Sequence, residues 1–369
     1  MKVELSWSGK DIFKSLKYGF SVKKIWMFVI GWIVGLGGYA VLTYIASLIS
    51  GYSLKEIWHV GRYIPIPKLD GISLNTPGYI LWIVGIIWFI VVMAFTFVAV
   101  AKVTFEQLRG DEFYAIKDAF SFAFKEGKGV ILAPLSIAIV ILILIIAGII
   151  LGYIMKIPYV GEILFFIFAI PVIFVSYLIV YLAISFVVSL LYSAGVIGSS
   201  GADTFDTLFE IFSTINEQFF RWLWYSILTL FCMVIGGGLF SSATVFAWKI
   251  PLLVLGKVTP KYAFLMKKAI GYLPVHLQAI LPSVFNITAN PVKDVVTLKI
   301  VGFLMGLILY LWIFVLISYP MSIGTVGTVI NFLIVAKKKD DIDYLSQQEE
   351  EEEEEEIVST KENEEKKEE

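Results

Sequence analysis

Six apolar stretches, approximately 25–49, 79–103, 130–155, 162–197, 219–248 and 299–336, alternate with polar flanks along the chain. Each can cross a bilayer as a helix, since a hydrocarbon core of about 30 Å needs roughly 20 apolar residues. The stretches are apolar on every face and lack the in–out alternation of a barrel strand, so they predict helices. The expected fold class is all-α, a polytopic transmembrane helix bundle of about six spans. Two stretches exceed one span, and each contains a proline, Pro171 in the fourth and Pro320 in the sixth. Proline removes a backbone donor and kinks a helix. Pro171 and Pro320 are therefore candidate helix breaks; the glycine run centred on Gly237 reads first as a site of tight helix contact, with a break or hinge there as the alternative. The piece 162–170 reads as a re-entrant or interfacial turn, and 320–336 as either the end of the sixth span or a weaker seventh.

One pattern returns ahead of the first, third and fifth stretches: Ser15-Leu-Lys-Tyr-Gly-Phe-Ser21, Ala115-Ile-Lys-Asp-Ala-Phe-Ser121 and Thr207-Leu-Phe-Glu-Ile-Phe-Ser213. Phe-Ser recurs at offsets of 100 and 92 residues, too long a period for a solenoid repeat. It suits a unit of one amphipathic helix followed by two spans, with units of about 11–103, 112–197 and 204–336. Apolar residues fall on one helical stripe in each copy: Ile12, Leu16 and Phe20; Phe113, Ile116, Phe120 and Phe124; Phe205, Leu208, Phe212 and Ile215. Such helices lie in the headgroup plane or pack against one another beneath the bundle. Leu16, Phe20, Ile116, Phe120, Leu208 and Phe212 are the membrane-interface candidates.

The net charge of −2 hides a split. Residues 340–369 carry sixteen acidic and three basic side chains, so residues 1–339 hold 26 basic against 15 acidic groups. Eight consecutive glutamates at 349–356 cannot pack a core, and 340–369 reads as a disordered acidic tail on a 1–339 membrane domain. With the N-terminus inside, Lys and Arg beside the spans number fifteen on the cytoplasmic side and ten outside. The positive-inside rule then places both termini in the cytoplasm of a cell-membrane protein. It also places all three copies of the motif on the cytoplasmic face. The first span follows six lysines and lacks a cleavage site, so it is read as retained.

Composition supports that class and thins the chemistry. Hydrophobic residues make up 58% of the chain and charged ones 16%, against about 25% charged in soluble domains. No central Asp, Glu or Arg marks an ion path; Lys102, Glu162 and Lys299 fall at span ends, where snorkelling explains them. Cys232 is the sole cysteine, and His59 and His276 stand apart from other ligand types. No nucleotide, metalloprotease or hydrolase motif occurs, so no catalytic residue, metal ligand or cofactor is assigned. Tryptophans near span ends form an interfacial belt, which leaves nucleic acid out of the expected partners. Gly31/Gly35 and Gly302/Gly306 are GxxxG pairs that let helices approach closely.

Residues Gly201 to Ser213, followed by Arg221 and a span, resemble a feature of uncharacterised multi-pass bacterial membrane proteins. More distantly they are similar to the membrane domain fused to some glycerophosphodiester phosphodiesterases. The resemblance covers about residues 100–250 and implies architecture and a bacterial cytoplasmic membrane. It implies no phosphodiesterase activity, because the soluble domain with its acidic and histidine ligands is absent from this sequence. The expected function is a non-enzymatic membrane-organising or accessory protein, with membrane lipids, a protein partner or a second copy as its partners. The alternatives are a transporter or channel for a lipid-like or small apolar solute and, third, an intramembrane enzyme acting on lipid through His59 or His276.

Overall fold

The computed structural model describes residues 3–67, 71–274, 277–278 and 295–346. The expected all-α polytopic bundle is present: six helices are long and apolar enough to cross a membrane, and the described residues contain no strand. A short 3-10 turn, Gly9–Phe13, leads into α1 (Lys14–Gly19), and α2 spans Val22–Ile49. The chain continues through α3 (Leu54–Val60), α4 (Thr76–Arg109), α5 (Ile116–Glu126), α6 (Gly129–Ile154) and α7 (Val160–Ser200). It ends with α8 (Thr204–Val258), α9 (Pro260–Gly271) and a last helix, here α10 (Val296–Asp340). His276 and residues 347–369 of the acidic tail lie outside the described residues, as do 279–294 of the long loop.

None of the three candidate breaks interrupts a helix. α7 runs through Pro171, α8 through Gly237 and α10 through Pro320, so 162–170 is not a separate turn and 320–336 is not a seventh span. A proline inside a membrane helix frees one carbonyl, and neighbouring groups or slight rewinding re-satisfy it. The glycines at 236 and 237 serve contact: a Cβ on Gly237 would lie 3.0 Å from Pro320 Cβ, and one on Gly236 2.5 Å from Ile323 Cδ1. The non-helical dihedral falls elsewhere, at Gln218 (φ −133°, ψ 24°).

The contacts divide the chain into two compact units whose boundaries fall inside helices and do not follow the repeat units. One comprises Met1–Ser15, Phe97–Thr229 and Thr325–Glu369. Small residues set its helix contacts. Cβ atoms added to Gly195, Gly198 and Gly327 would fall 2.8 Å from Thr328 Cγ2, 2.5 Å from Ala101 Cβ and 2.3 Å from Thr229 Cγ2. Tyr192 is fully buried, edge-on to Trp222 and Phe332 at centroid distances of 6.2 and 5.9 Å. Asn331 Nδ2 donates to Trp222 O (3.2 Å) and Ser226 Oγ (3.1 Å), joining α10 to α8.

Within the same unit α6 and α7 form a hairpin, and the turn is severe. Val160 N donates to Pro158 O at 2.8 Å around Tyr159, whose φ is 65°. A Cβ on Gly161 would lie 2.0 Å from Met155 O, so only glycine fits there. No residue is buried from 138 to 154 or from 162 to 181. The other end of α7 is packed, with Leu182, Ser185, Val188, Ser189, Val196 and Ile197 buried. It stops at Gly201, whose left-handed conformation (φ 70°) lets its N–H reach Ile197 O.

The other unit comprises Leu16–Thr96 and Leu230–Gly324. Gly31 and Gly35 face α4: Cβ atoms there would meet Thr96 Oγ1 at 2.6 Å and Phe89 Cδ2 at 3.0 Å. Gly302 and Gly306 face the short α9 instead of a span, against Lys268 Cγ at 3.3 Å and Ala269 O at 2.9 Å. Met266, Ala269, Ile270, Leu273 and Leu309 form a local core there. Between α2 and α4 a second cluster, Ala46, Ile57, Ile72 and Leu74, closes over the end of the helix pair. α3 starts on a capping box: Glu56 N donates to Ser53 Oγ at 3.4 Å and Ser53 N to Glu56 Oε2 at 2.7 Å. Trp82 Nε1 donates to Tyr39 Oη (3.0 Å), which donates to Pro65 O (2.9 Å) and ties the loop to both helices.

Candidate membrane-interface site

Each copy of the motif lies on a short helix that breaks just before a long one. α1 ends at Gly19 and α2 begins at Val22; α5 ends at Glu126 and α6 begins at Gly129; the early part of α8 ends at the Gln218 kink. The fifth residue of the motif is buried in all three copies, as Gly19, Ala119 and Ile211. A Cβ on Gly19 would lie 2.8 Å from Ile323 Cα, whereas Ile211 carries a full side chain at 0% exposure.

The apolar stripes do not point one way. Leu16, Ile116 and Leu208 are half-buried, as are Phe120 and Phe212, while Phe20 is 62% exposed. Phe20 still meets Tyr319 and Phe240 edge-on at 5.4 and 6.2 Å. Phe120 stacks on Phe124 at 6.4 Å, and Phe212 stacks on Tyr181 of α7 at 5.9 Å. The inward positions are Ala119 and Ala123 in α5, and Thr207, Ile211 and Thr214 in α8. The large aromatics Phe113, Phe124, Phe205 and Phe209 stay exposed.

Charge gathers beside these helices. Lys24 is fully buried, and its Nζ donates to Tyr18 O at 3.2 Å while Ser322 Oγ donates to Gly19 O at 2.8 Å. Both satisfy carbonyls at the C-terminus of α1, which lack intrahelical partners. Asp11 sits in the preceding 3-10 turn. Burial pushes its carboxyl up, but the Lys14 ammonium at 2.8 Å and hydrogen bonds from Ser8 N and Ser6 Oγ outweigh burial and hold it below the ordinary carboxylate value.

Glu106 near the end of α4 accepts from Lys102 at 2.7 Å and Arg109 at 3.1 Å, and the Lys102 ammonium lies 4.9 Å from the Phe122 ring of α5. Lys102 thus reaches an ion partner instead of snorkelling alone. Glu210 of α8 holds Lys339 of α10 through both carboxylate oxygens, at 2.9 and 2.8 Å, with the Lys339 side chain only 1% exposed. Burial, with the Glu210 carboxylate second, pushes the nearby Tyr344 phenol up to about 12.

At the Gln218 kink a recess of about 570 Å³ opens between α7 and α8. Tyr181 and Ile184 line it from one side, and Asn216, Glu217, Gln218 and Arg221 from the other. Tyr181 Oη donates to Asn216 Oδ1 at 3.1 Å, and Ser213 Oγ to Glu217 Oε1 at 3.3 Å. Among the described residues no hydrogen bond or ion pair engages the Arg221 guanidinium.

Sequence spacing carried part of this arrangement. Lys102, Glu106 and Arg109 stand at i, i+4 and i+7 on one helix, where ion pairs are expected. Nothing local links Glu210 to Lys339 across 129 residues, or marks Gln218 as the point where α8 bends. Comparisons with protein-family models, curated proteins and solved structures found no match to this chain.

Proposed function

We propose that this chain is a non-enzymatic membrane-organising or accessory protein that seats three short helices in the headgroup layer of the cytoplasmic leaflet and gathers lipids or partner proteins there. The observation that carries this reading is the shared division of faces. A buried fifth motif residue anchors each short helix, while Phe20, Phe113, Phe124, Phe205 and Phe209 are 62%, 92%, 61%, 74% and 66% exposed. Exposed aromatic rings on short helices suit the interface between acyl chains and headgroups. The basic flank residues Lys23, Lys125, Lys128 and Lys338, none of them buried, suit anionic lipid on that side.

The test is depth. Tryptophan placed at Phe124 or Phe209, in a background with the ten native tryptophans replaced by phenylalanine, should be quenched most in proteoliposomes by lipids brominated near the carbonyl end of the chain. Quenching that peaks with mid-chain bromines, or none at all, overturns the placement. Orientation is read in the same particles from single cysteines at Lys10 and Lys338 in a Cys232→Ala background. Both should react with an impermeant maleimide from one side only.

A second reading, transport of a lipid-like or small apolar solute, draws on the recess at the Gln218 kink. It requires headgroup-labelled lipid to cross protein-containing vesicles faster than empty ones; equal rates remove it.

A further inference from the structure

We propose that the recess at the Gln218 kink is a headgroup site for a zwitterionic phospholipid whose phosphate sits on Arg221 and whose primary ammonium sits on Glu217. The inference deepens the interface reading above, by giving one of the three short helices a lipid class.

Glu217 and Arg221 stand one turn apart, a spacing that pairs charges on an unbroken helix. Here Gln218, with φ −133°, lies between them, and among the described residues Glu217 accepts only the Ser213 hydroxyl while Arg221 has no partner. One cation and one anion therefore line the same recess without neutralising each other. A ligand with only a phosphate would meet the Glu217 carboxylate as a repulsion. A ligand with only an amine would meet the guanidinium in the same way. A phosphate and an ammonium joined by a two-carbon bridge answer both, and the planar guanidinium can bind two phosphate oxygens at once.

The neutral groups fit the same occupant. Asn216 Oδ1 is taken by Tyr181, which leaves its Nδ2 hydrogens available to a phosphate or ester oxygen. Ile184, Phe219 and the 82% exposed Phe220 line the recess as apolar wall, where acyl chains leave the glycerol. A quaternary ammonium fits less well. It has no N–H to donate to Glu217, so a choline headgroup forfeits the charge-assisted hydrogen bond that a primary ammonium makes.

Full-length protein in detergent, titrated with defined lipids and read by native mass spectrometry, tests this. The probes are diacyl phosphatidylethanolamine, phosphatidylglycerol, phosphatidylcholine, soluble phosphoethanolamine and inorganic phosphate. Phosphatidylethanolamine should be retained several-fold over the other two lipids, and phosphoethanolamine should bind more weakly but above inorganic phosphate. Arg221→Gln and Glu217→Gln should each lower phosphatidylethanolamine retention about tenfold, the worth of one charged hydrogen bond. Glu217→Gln should leave phosphatidylglycerol binding unchanged or raised, and Arg221→Lys should fall between wild type and Arg221→Gln.

Equal retention of all three lipids, or retention of phosphatidylethanolamine unchanged in both variants, overturns the site. Wild-type melting temperature in both glutamine variants shows that lost binding is not lost fold. The brominated-lipid depth measurement reports on the interface placement independently, so one can fail while the other stands.

Discussion

Single side chains already separate structural from surface roles. Asn331 is 1% exposed and bridges α10 to Trp222 O and Ser226 Oγ of α8. Asn331→Ala should lower stability by about 1 kcal/mol, in the range measured for interhelical hydrogen bonds in membrane proteins, as checked by steric-trap unfolding or a melting curve in detergent. Asp11 makes a pH prediction. Its folded pKa lies below its unfolded value, so its stabilising contribution is complete above about pH 4 and is lost as pH falls through the folded pKa. Melting curves at pH 7 and pH 3 should therefore converge between wild type and Asp11→Asn at the lower pH. A parallel shift of both proteins with a constant gap would contradict this. Tyr159 adopts φ 65° at the tip of the α6–α7 turn, a strained conformation for a side chain with a Cβ. Tyr159→Gly should raise the melting temperature, by relief of about 1 kcal/mol, while Gly161→Ala should lower it. Both residues were invisible as special in the sequence, because the demand on them comes from how closely Met155 O returns to the chain.

Whole helices show where hydropathy is informative and where it is not. The long apolar runs define six spans because lipid-facing helices advertise themselves on every face. Their punctuation is harder to read. Pro171 and Pro320 look like breaks by soluble-protein rules, yet both helices continue, and the bend falls at Gln218, a residue with no unusual backbone preference. The GxxxG pair at Gly302 and Gly306 was legible as a contact but not its partner, which is α9. The ion pair between Glu210 and Lys339 has a specific consequence for α8 and α10. Glu210→Gln leaves a lysine ammonium at 1% exposure with Asp340 alone for charge balance, and should cost about 3 kcal/mol. Replacing both residues by leucine should recover most of that loss. Double variants as unstable as Glu210→Gln alone would place the cost in packing instead.

For the whole molecule, length against bilayer thickness is the governing comparison. At about 1.5 Å per residue, the 41 residues of α7 reach about 60 Å and the 45 of α10 nearly 70 Å, twice a hydrocarbon core of about 30 Å. The membrane class and the number of spans were therefore legible from hydropathy, but the division into two compact units was not. Its boundaries at 96/97, 229/230 and 324/325 fall mid-helix, with no change in composition to mark them. Charge alone sets the tail's start at residue 340, but Leu345 is buried and Tyr344 meets Phe332 at 5.2 Å, so residues 340–346 pack with the body. Deleting residues 347–369 should leave a monodisperse particle with unchanged melting temperature; aggregation of that truncation on size-exclusion chromatography would show that the body depends on the tail.

The bare half of the α6–α7 hairpin, residues 138–154 and 162–180, carries a consequence for how this sequence can vary. Its side chains touch few protein neighbours, so what the fold requires there is a kind of residue and not a particular one. Identity is written at the turn (Tyr159, Gly161) and again from Tyr181 onward, where Tyr181 meets Phe212 and Asn216 and Gly195, Gly198 and their partners leave no spare room. Between those points the chain stores almost no information beyond oiliness and length. A library that shuffles residues 162–180 among Ile, Leu, Val and Phe should insert and fold as well as wild type, whereas the same shuffle over 182–200 should not. Read as text, α7 is half meaning and half margin, and random change will accumulate in the margin first.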